Sequence, residues 1–402
     1  MPRFTVRGVH LGFVLLLVAF LISCGCGPRA ASVKPSFAAD TAVEKKPASE
    51  SKETAKPVTS LQDEARKAYQ MGAQYEIDKK YVEAAAAFRD AIELDPEFAD
   101  AYAHLGFAQI ELKDYPEAIH AFKRLLEITP QEPDKLAAVH SDLGYAYGLN
   151  RDLDRAITEY RKVVELTPHN SEAFATLAFT YGEKGLIAEA VAAYQRSLEI
   201  RPDNKETMRA FGTLCRDNNL FVEATNVYER LYRADENDVQ AIRSLAWLYL
   251  KLEAYTRAID MYKKLLTLEP EGAGERLNLA IAYEKNSQPD SAIVQYEKVI
   301  QVQPENSQLY CNLAFLYSDA KKAAQAIEVA KKGLQLKPDD ACLTCAWARA
   351  LEKMTDYEGA IEKFQLVVND AQWGDYAKKQ IDRQQKLIKR REALKEKEEL
   401  GY

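Results

Sequence analysis

Residues 342–345 read Cys-Leu-Thr-Cys, the one place where two thiols stand at the spacing used for thiol–disulfide exchange. Near the start of a helix, where the positive dipole end lowers a thiol pKa, such a pair suits redox work or a share in a thiolate metal site. Cys311 holds the place equivalent to Cys345 one period of 34 residues earlier. In an oxidising compartment Cys342 and Cys345 would form a local disulfide. The plainest reading makes all three small residues that fill packing positions. No βαβ context and no nearby histidine supports the redox or metal readings. His104, His120, His140 and His169 are scattered. No Gly-x-Ser-x-Gly, His-Glu-x-x-His or Gly-x-x-x-x-Gly-Lys string occurs. The residues call for no catalytic site, no metal and no cofactor, so the expectation is a protein that is not an enzyme. A thiol-redox protein using Cys342 and Cys345 is the remote alternative.

What would position these residues is a repeat. Prolines close a recurring apolar–acid–apolar phrase at Pro96, Pro130, Pro168, Pro202, Pro270, Pro304 and Pro338, at steps of 34, 38, 34, 68, 34 and 34. The 68 is two periods with Glu236 at the missing proline. A period of 34 marks stacked helix–turn–helix units. Within each repeat the seventh residue is large and apolar, from Met71 and Leu105 to Leu313 and Trp347. The eighth is Gly or Ala, the eleventh is usually Tyr, and the twentieth is Ala in all nine repeats, from Ala84 to Ala360. The twenty-fourth is aromatic except at Ala330. Small residues at eight and twenty let two helices approach closely. Positions 4, 7, 8 and 11 share one helical face, the stripe to be buried. Each proline, lacking an N–H, ends the second helix.

These positions, repeated nine times over roughly residues 65–372, resemble the tetratricopeptide repeat family. The resemblance implies an all-α superhelical solenoid of about nine repeats. It departs at Ala68 and Arg276, where the family favours a large apolar fourth residue, and at Gly272 and Gly274, which weaken the seventh repeat's start. Four extra residues before the third repeat lengthen either a loop or a helix.

In that family the concave face, built from first-helix positions 2, 5, 6, 9, 12 and 13, holds peptides. Position 9 here gives Phe107, Tyr145, Phe179, Trp247 and Phe315. Position 5 gives Arg209 and Arg243, and position 6 gives Asn278 and Asn312. Such amides can bond a peptide backbone through both donor and acceptor, and guanidinium groups suit carboxylates. The aromatic residues could equally pack against a neighbouring helix as the rim of the core. The family's carboxylate clamp of paired Lys-x-x-x-Asn and Lys-x-x-x-Arg is absent, which makes chaperone tails poor candidates.

The N-terminus carries Arg3 and Arg7, an apolar run from Val9 to Ile22, and Leu-Ile-Ser-Cys at 21–24. The run falls short of the ~20 residues that span a bilayer. It reads as a signal peptide over 1–23, and the four residues resemble the lipobox of bacterial lipoproteins. That resemblance implies cleavage before Cys24 and acylation of its thiol and amine, an anchor strong enough to hold the protein on a membrane. By the enterobacterial sorting rule for such lipoproteins, Gly25 in place of Asp implies the outer membrane. Residues 24–60, rich in Pro, Ala, Ser, Lys and Glu, read as a flexible tether with a reach of roughly 35 Å. The solenoid occupies 61–372 and a charged helix 373–402. This helix reads as a polar cap with Ile381, Leu387, Ile388 and Leu394 as sparse apolar points, or as a contact for a partner helix or an anionic lipid surface.

The net charge of −7 argues against nucleic acid. Partners are expected to be proteins or peptides, with no small-molecule substrate. The expectation is a lipid-anchored scaffold in the bacterial envelope; it resembles the tetratricopeptide lipoproteins that serve pilus or secretion assembly or dock peptidoglycan enzymes, which implies a role in such machinery. The alternative is a periplasmic chaperone or carrier for unfolded clients.

Overall fold

The computed structural model describes residues 58–399. Cys24, the signal peptide and most of the proposed tether lie outside the described residues. Among these, all regular structure is helical and no helix is long and apolar enough to cross a membrane. The chain divides into two compact bodies at residue 200.

The first body contains α1 (Val58–Ile77), α2 (Tyr81–Leu94), α3 (Ala99–Glu111), α4 (Tyr115–Ile128), α5 (Pro133–Leu149), α6 (Leu153–Leu166), α7 (Ser171–Glu183) and α8 (Ile187–Ile200). The second opens with α9 (Lys205–Asp217), α10 (Phe221–Ala234), α11 (Val239–Lys251), α12 (Tyr255–Leu268), α13 (Ala273–Lys285) and α14 (Pro289–Val302). It continues with α15 (Ser307–Asp319), α16 (Ala323–Leu336), α17 (Ala341–Lys353), α18 (Tyr357–Gln365) and α19 (Gly374–Glu399). Each repeat is one antiparallel pair, and in each body successive pairs stack on one another. The first helix starts at repeat position 1 in every repeat but the first and third.

The third repeat resolves its insertion. Pro133 stands in the first turn of α5, where a missing N–H costs nothing, and the four residues add a helical turn. At five boundaries Asn or Asp at position 34 caps the next first helix, whereas Phe98 and Gly272 stand there without a side-chain cap. Asn170, Asn204, Asp238 and Asp340 accept from backbone N–H groups of α7, α9, α11 and α17.

The close approach at positions eight and twenty is direct. All nine alanines at position twenty, Ala84 to Ala360, are 0% exposed. A Cβ built on Gly106 would lie 2.5 Å from the Phe122 ring, and one on Gly212 would lie 2.8 Å from Tyr228. The small eighth residue therefore receives the aromatic twenty-fourth of its own repeat. Where that aromatic is missing, at Ala330, the large Trp347 of the next repeat packs against Ala314, Ala330 and Ala346. Met71 departs from the buried pattern at position seven: it is 56% exposed, with no described element to cover it.

Every turn inside a repeat closes the same way. The residue at position 15 is left-handed in all nine: Gly185 at φ 80°, and eight non-glycine residues from Lys79 at 58° to Thr355 at 63°. The next N–H reaches back five residues, as in Lys80 to Tyr75 (2.8 Å) and Ala254 to Tyr249 (2.8 Å), the C-cap that satisfies a helix's last carbonyls.

Helix α19 continues the register as the first helix of a tenth repeat. Ala377 at position 3 and Gln384 at position 10 are fully buried, like their counterparts Leu343 and Ala350 in α17. The face that would meet a second helix carries Lys378, Asp382 and Gln385 instead, all exposed. Those hydrophilic side chains make it a polar cap.

Candidate functional site

First-helix side chains of the second body bring the expected strip onto consecutive repeats: Arg209 on α9, Arg243 and Trp247 on α11, Asn278 on α13, Asn312 and Phe315 on α15. The arginines are already paired. Arg209 donates to Asp238 (2.8 Å), the residue that also caps α11 through Ala241 N–H (3.0 Å). Burial alone would raise the Asp238 pKa, but that N–H and the guanidinium outweigh it and hold the carboxyl low. Arg243 bonds Glu269 and, at 3.1 Å, Glu275 of the next repeat. Its side chain remains 45% exposed.

Trp247 is half-buried, its ring edge-on to Phe221 at 5.6 Å, with the Lys251 ammonium 5.2 Å from the ring centroid. Asn278 lies beside the buried Tyr262 hydroxyl without full hydrogen-bond geometry; burial pushes that phenol up and the amide partly eases the rise. Asn312 accepts from Gln308 (3.0 Å) and lies beside the Tyr296 hydroxyl, which donates to Glu284 (3.2 Å). Both amides are half-buried, so each presents only part of its bonding capacity.

Phe315 is not open. Trp373 stacks on it at 5.7 Å with an interplanar angle of 13°, and the Arg349 guanidinium lies 5.7 Å from its centroid. In the first body Phe107 packs edge-on against Phe122 (5.3 Å), whereas Tyr145 and Phe179 are 42% and 47% exposed. Position 9 thus divides: Phe107 and Phe315 belong to the packing, Tyr145 and Phe179 face solvent.

The cysteines correct the expected pairing. Cys342 is bonded to Cys311, with Cα atoms 5.9 Å apart, and Cys345 is a buried free thiol. Positions 5 and 2 of successive first helices face one another, so a disulfide forms across repeats rather than inside Cys-Leu-Thr-Cys. Helices α15 and α17 pack directly against each other there. Burial pushes the Cys345 thiol up to about 12, and Asp370 adds to it, which removes the thiolate that redox chemistry requires.

From sequence alone the recurring Tyr at position 11 has only a place on the buried stripe. Its outer edge meets position 25 of the preceding repeat: Arg161 donates to Tyr181 (2.7 Å), Tyr249 donates to Glu229 (2.8 Å), and the Lys263 ammonium lies 5.7 Å from the Tyr283 centroid. Each is a polar latch between neighbours. Its signal was a charged residue at position 25, legible only once the stacking is known.

Family models identify the repeat. Models described as tetratricopeptide repeat match residues 77–143, 137–170, 171–204, 241–274, 276–306 and 295–328. No curated protein matches the chain. Similar solved structures include MamA (20% identity, 43% of this chain and 94% of that one, TM-score 0.39). Others are YrrB, described as a TPR protein with an unusual peptide-binding site (20%, 48% and 96%, 0.40), and PilF of Pseudomonas aeruginosa (21%, 52% and 94%, 0.39). With register, packing and family models in agreement, the chain belongs to the tetratricopeptide repeat family.

Proposed function

We propose that the chain is a lipid-anchored scaffold that holds a protein partner along the first-helix strip of its second body, within bacterial envelope machinery for pilus or secretion assembly or for docking peptidoglycan enzymes. Repeats of this family are protein-interaction modules, and nothing in the residues asks for catalysis. The observation that carries the reading is Arg243 beside Trp247 on α11: an exposed guanidinium one turn from a half-buried aromatic face. Exposed ion pairs are worth only ~0–1 kcal/mol, so a partner carboxylate can take the place of Glu269 or Glu275 at little cost. Arg and Trp are also the residues that most often dominate binding. The Cys311–Cys342 disulfide supports an exported, oxidising location. Exposed Tyr145 and Phe179 favour the carrier alternative, since they offer apolar surface without polar selectivity.

The experiment is in-cell crosslinking and pull-down with the full chain and with Arg243→Ala/Trp247→Ala. A scaffold yields a few stoichiometric partners, lost in the double variant while circular dichroism is unchanged and the Tm moves by a few degrees at most. A heterogeneous set of peptides retained by the double variant supports the carrier instead.

A further inference from the structure

Helix α19 carries a feature that the partner strip does not use. Lys378, Lys379, Arg383, Lys386, Lys389 and Arg390 are all exposed. At 3.6 residues per turn they fall within an arc of roughly 140° opposite the buried edge of Ala377 and Gln384, and they extend along about 18 Å of helix. Over that length only Asp382 carries negative charge on the arc, with Asp375 before the stripe and Glu396 beyond it. Among the described residues, Lys386 pairs with Asp382 (2.6 Å) and Arg383 with Glu352 (3.4 Å). The stripe stands on a chain whose net charge is −7, so it is a local reversal and not part of a general basic character.

We infer that this stripe is a docking surface for anionic lipid headgroups. Charge complementarity selects an anionic occupant, and the form of the stripe selects among anions. Four of the six cations are lysines, which act as solvated point charges and not as forks that fix one geometry. They line one side of a single helix, and between them the arc contains no aromatic or apolar side chain that would anchor a particular protein segment. An array of mobile point charges without an anchor or an orienting fork fits a fluid sheet of charged headgroups, where each Lys or Arg adds affinity without any fixed partner. A peptide partner would need the hot spot that the stripe lacks. Leu387 and Ile388 are half-buried and the exposed Leu394 lies a turn beyond Arg390, so the contact made by the stripe itself is peripheral and electrostatic, without insertion.

The test is sedimentation of the full chain carrying Cys24→Ser with vesicles of phosphatidylcholine alone, or of phosphatidylcholine with about one-third phosphatidylglycerol. The comparison chain adds Lys379→Glu, Lys386→Glu, Lys389→Glu and Arg390→Glu; the apolar N-terminal run is common to both and cancels. Since each cation near an anionic surface contributes roughly a factor of five, reversing four charges is expected to weaken binding to anionic vesicles at least tenfold. High salt is expected to do the same, with binding to neutral vesicles unaffected. The four corresponding Arg or Lys exchanges, which keep the charge, are expected to retain binding. Equal binding of the wild-type and charge-reversed chains, or no preference for anionic vesicles, overturns the inference. So does charge-dependent capture of soluble polyglutamate without vesicle binding, which would assign the stripe to an acidic protein.

Discussion

Asp142 on α5 stands at the position held by Asn278 and Asn312 in other repeats. Burial pushes its pKa from 3.8 up to about 7. A carboxyl raised in the folded state stabilises the fold when protonated, and that stabilisation is lost as pH rises from about 4 through 7. Asp142→Asn should therefore raise the Tm at pH 8 and leave it nearly unchanged at pH 4, as melting curves at the two pH values would show. An equal shift at both would place the effect in packing. The left-handed turn residues give a second test. Glu253→Gly should stabilise by up to about 1 kcal/mol, because only glycine adopts that φ without steric cost, and Gly185→Ala should destabilise by about as much. Chemical denaturation of the two variants measures both signs. Nothing in the residue types disclosed this turn: Lys, Arg, Asn, Glu, Ser and Thr occupy it. What imposes it is the recurring bond pattern, which the sequence does not spell out.

At the scale of helices the sequence was far more informative. Alanine at position twenty and proline at thirty-two located the helix pairs, because close packing and a missing N–H leave few alternatives. Asn or Asp at position 34 marks five of these boundaries from the other side, though Phe98 and Gly272 stand there before α3 and α13. Less legible were contacts between distant positions. The partners of Arg209 and Arg243, the pairing of Cys342 with Cys311, and the cover that Trp373 lays on Phe315 join residues 26 to 58 apart, and a motif of a few neighbouring residues cannot reveal them. Overpacking should expose the register: Ala258→Leu, at a 0% exposed contact, should cost on the order of 1–3 kcal/mol in denaturation. The cap helix offers the opposite result. Gln384 is 0% exposed and neither atom of its amide has a hydrogen-bond partner. Position 10 holds leucine or alanine in every other repeat except the first and fourth, where Gln74 and Thr180 stand. Gln384→Leu should therefore stabilise by about 1–2 kcal/mol. A loss of stability would mean that the amide is satisfied in solution.

For the whole molecule, a stack of repeats behaves as a one-dimensional chain of neighbours, in which stability is a sum of repeat and interface contributions and any one repeat can open while others stay closed. The disulfide from Cys311 to Cys342 breaks that independence at one place. It closes a loop of about thirty residues and should supply roughly 2–4 kcal/mol, measurable as the fall in Tm on reduction without denaturant. Repeats 8 and 9 then no longer open as separate blocks, since the open state of either is tethered to the other. In hydrogen exchange they should share one opening free energy while oxidised and separate into two after reduction. Under a stretching load, the first block to yield should lie among the unstapled repeats, and the extension released in that step should be that of a single 34-residue repeat.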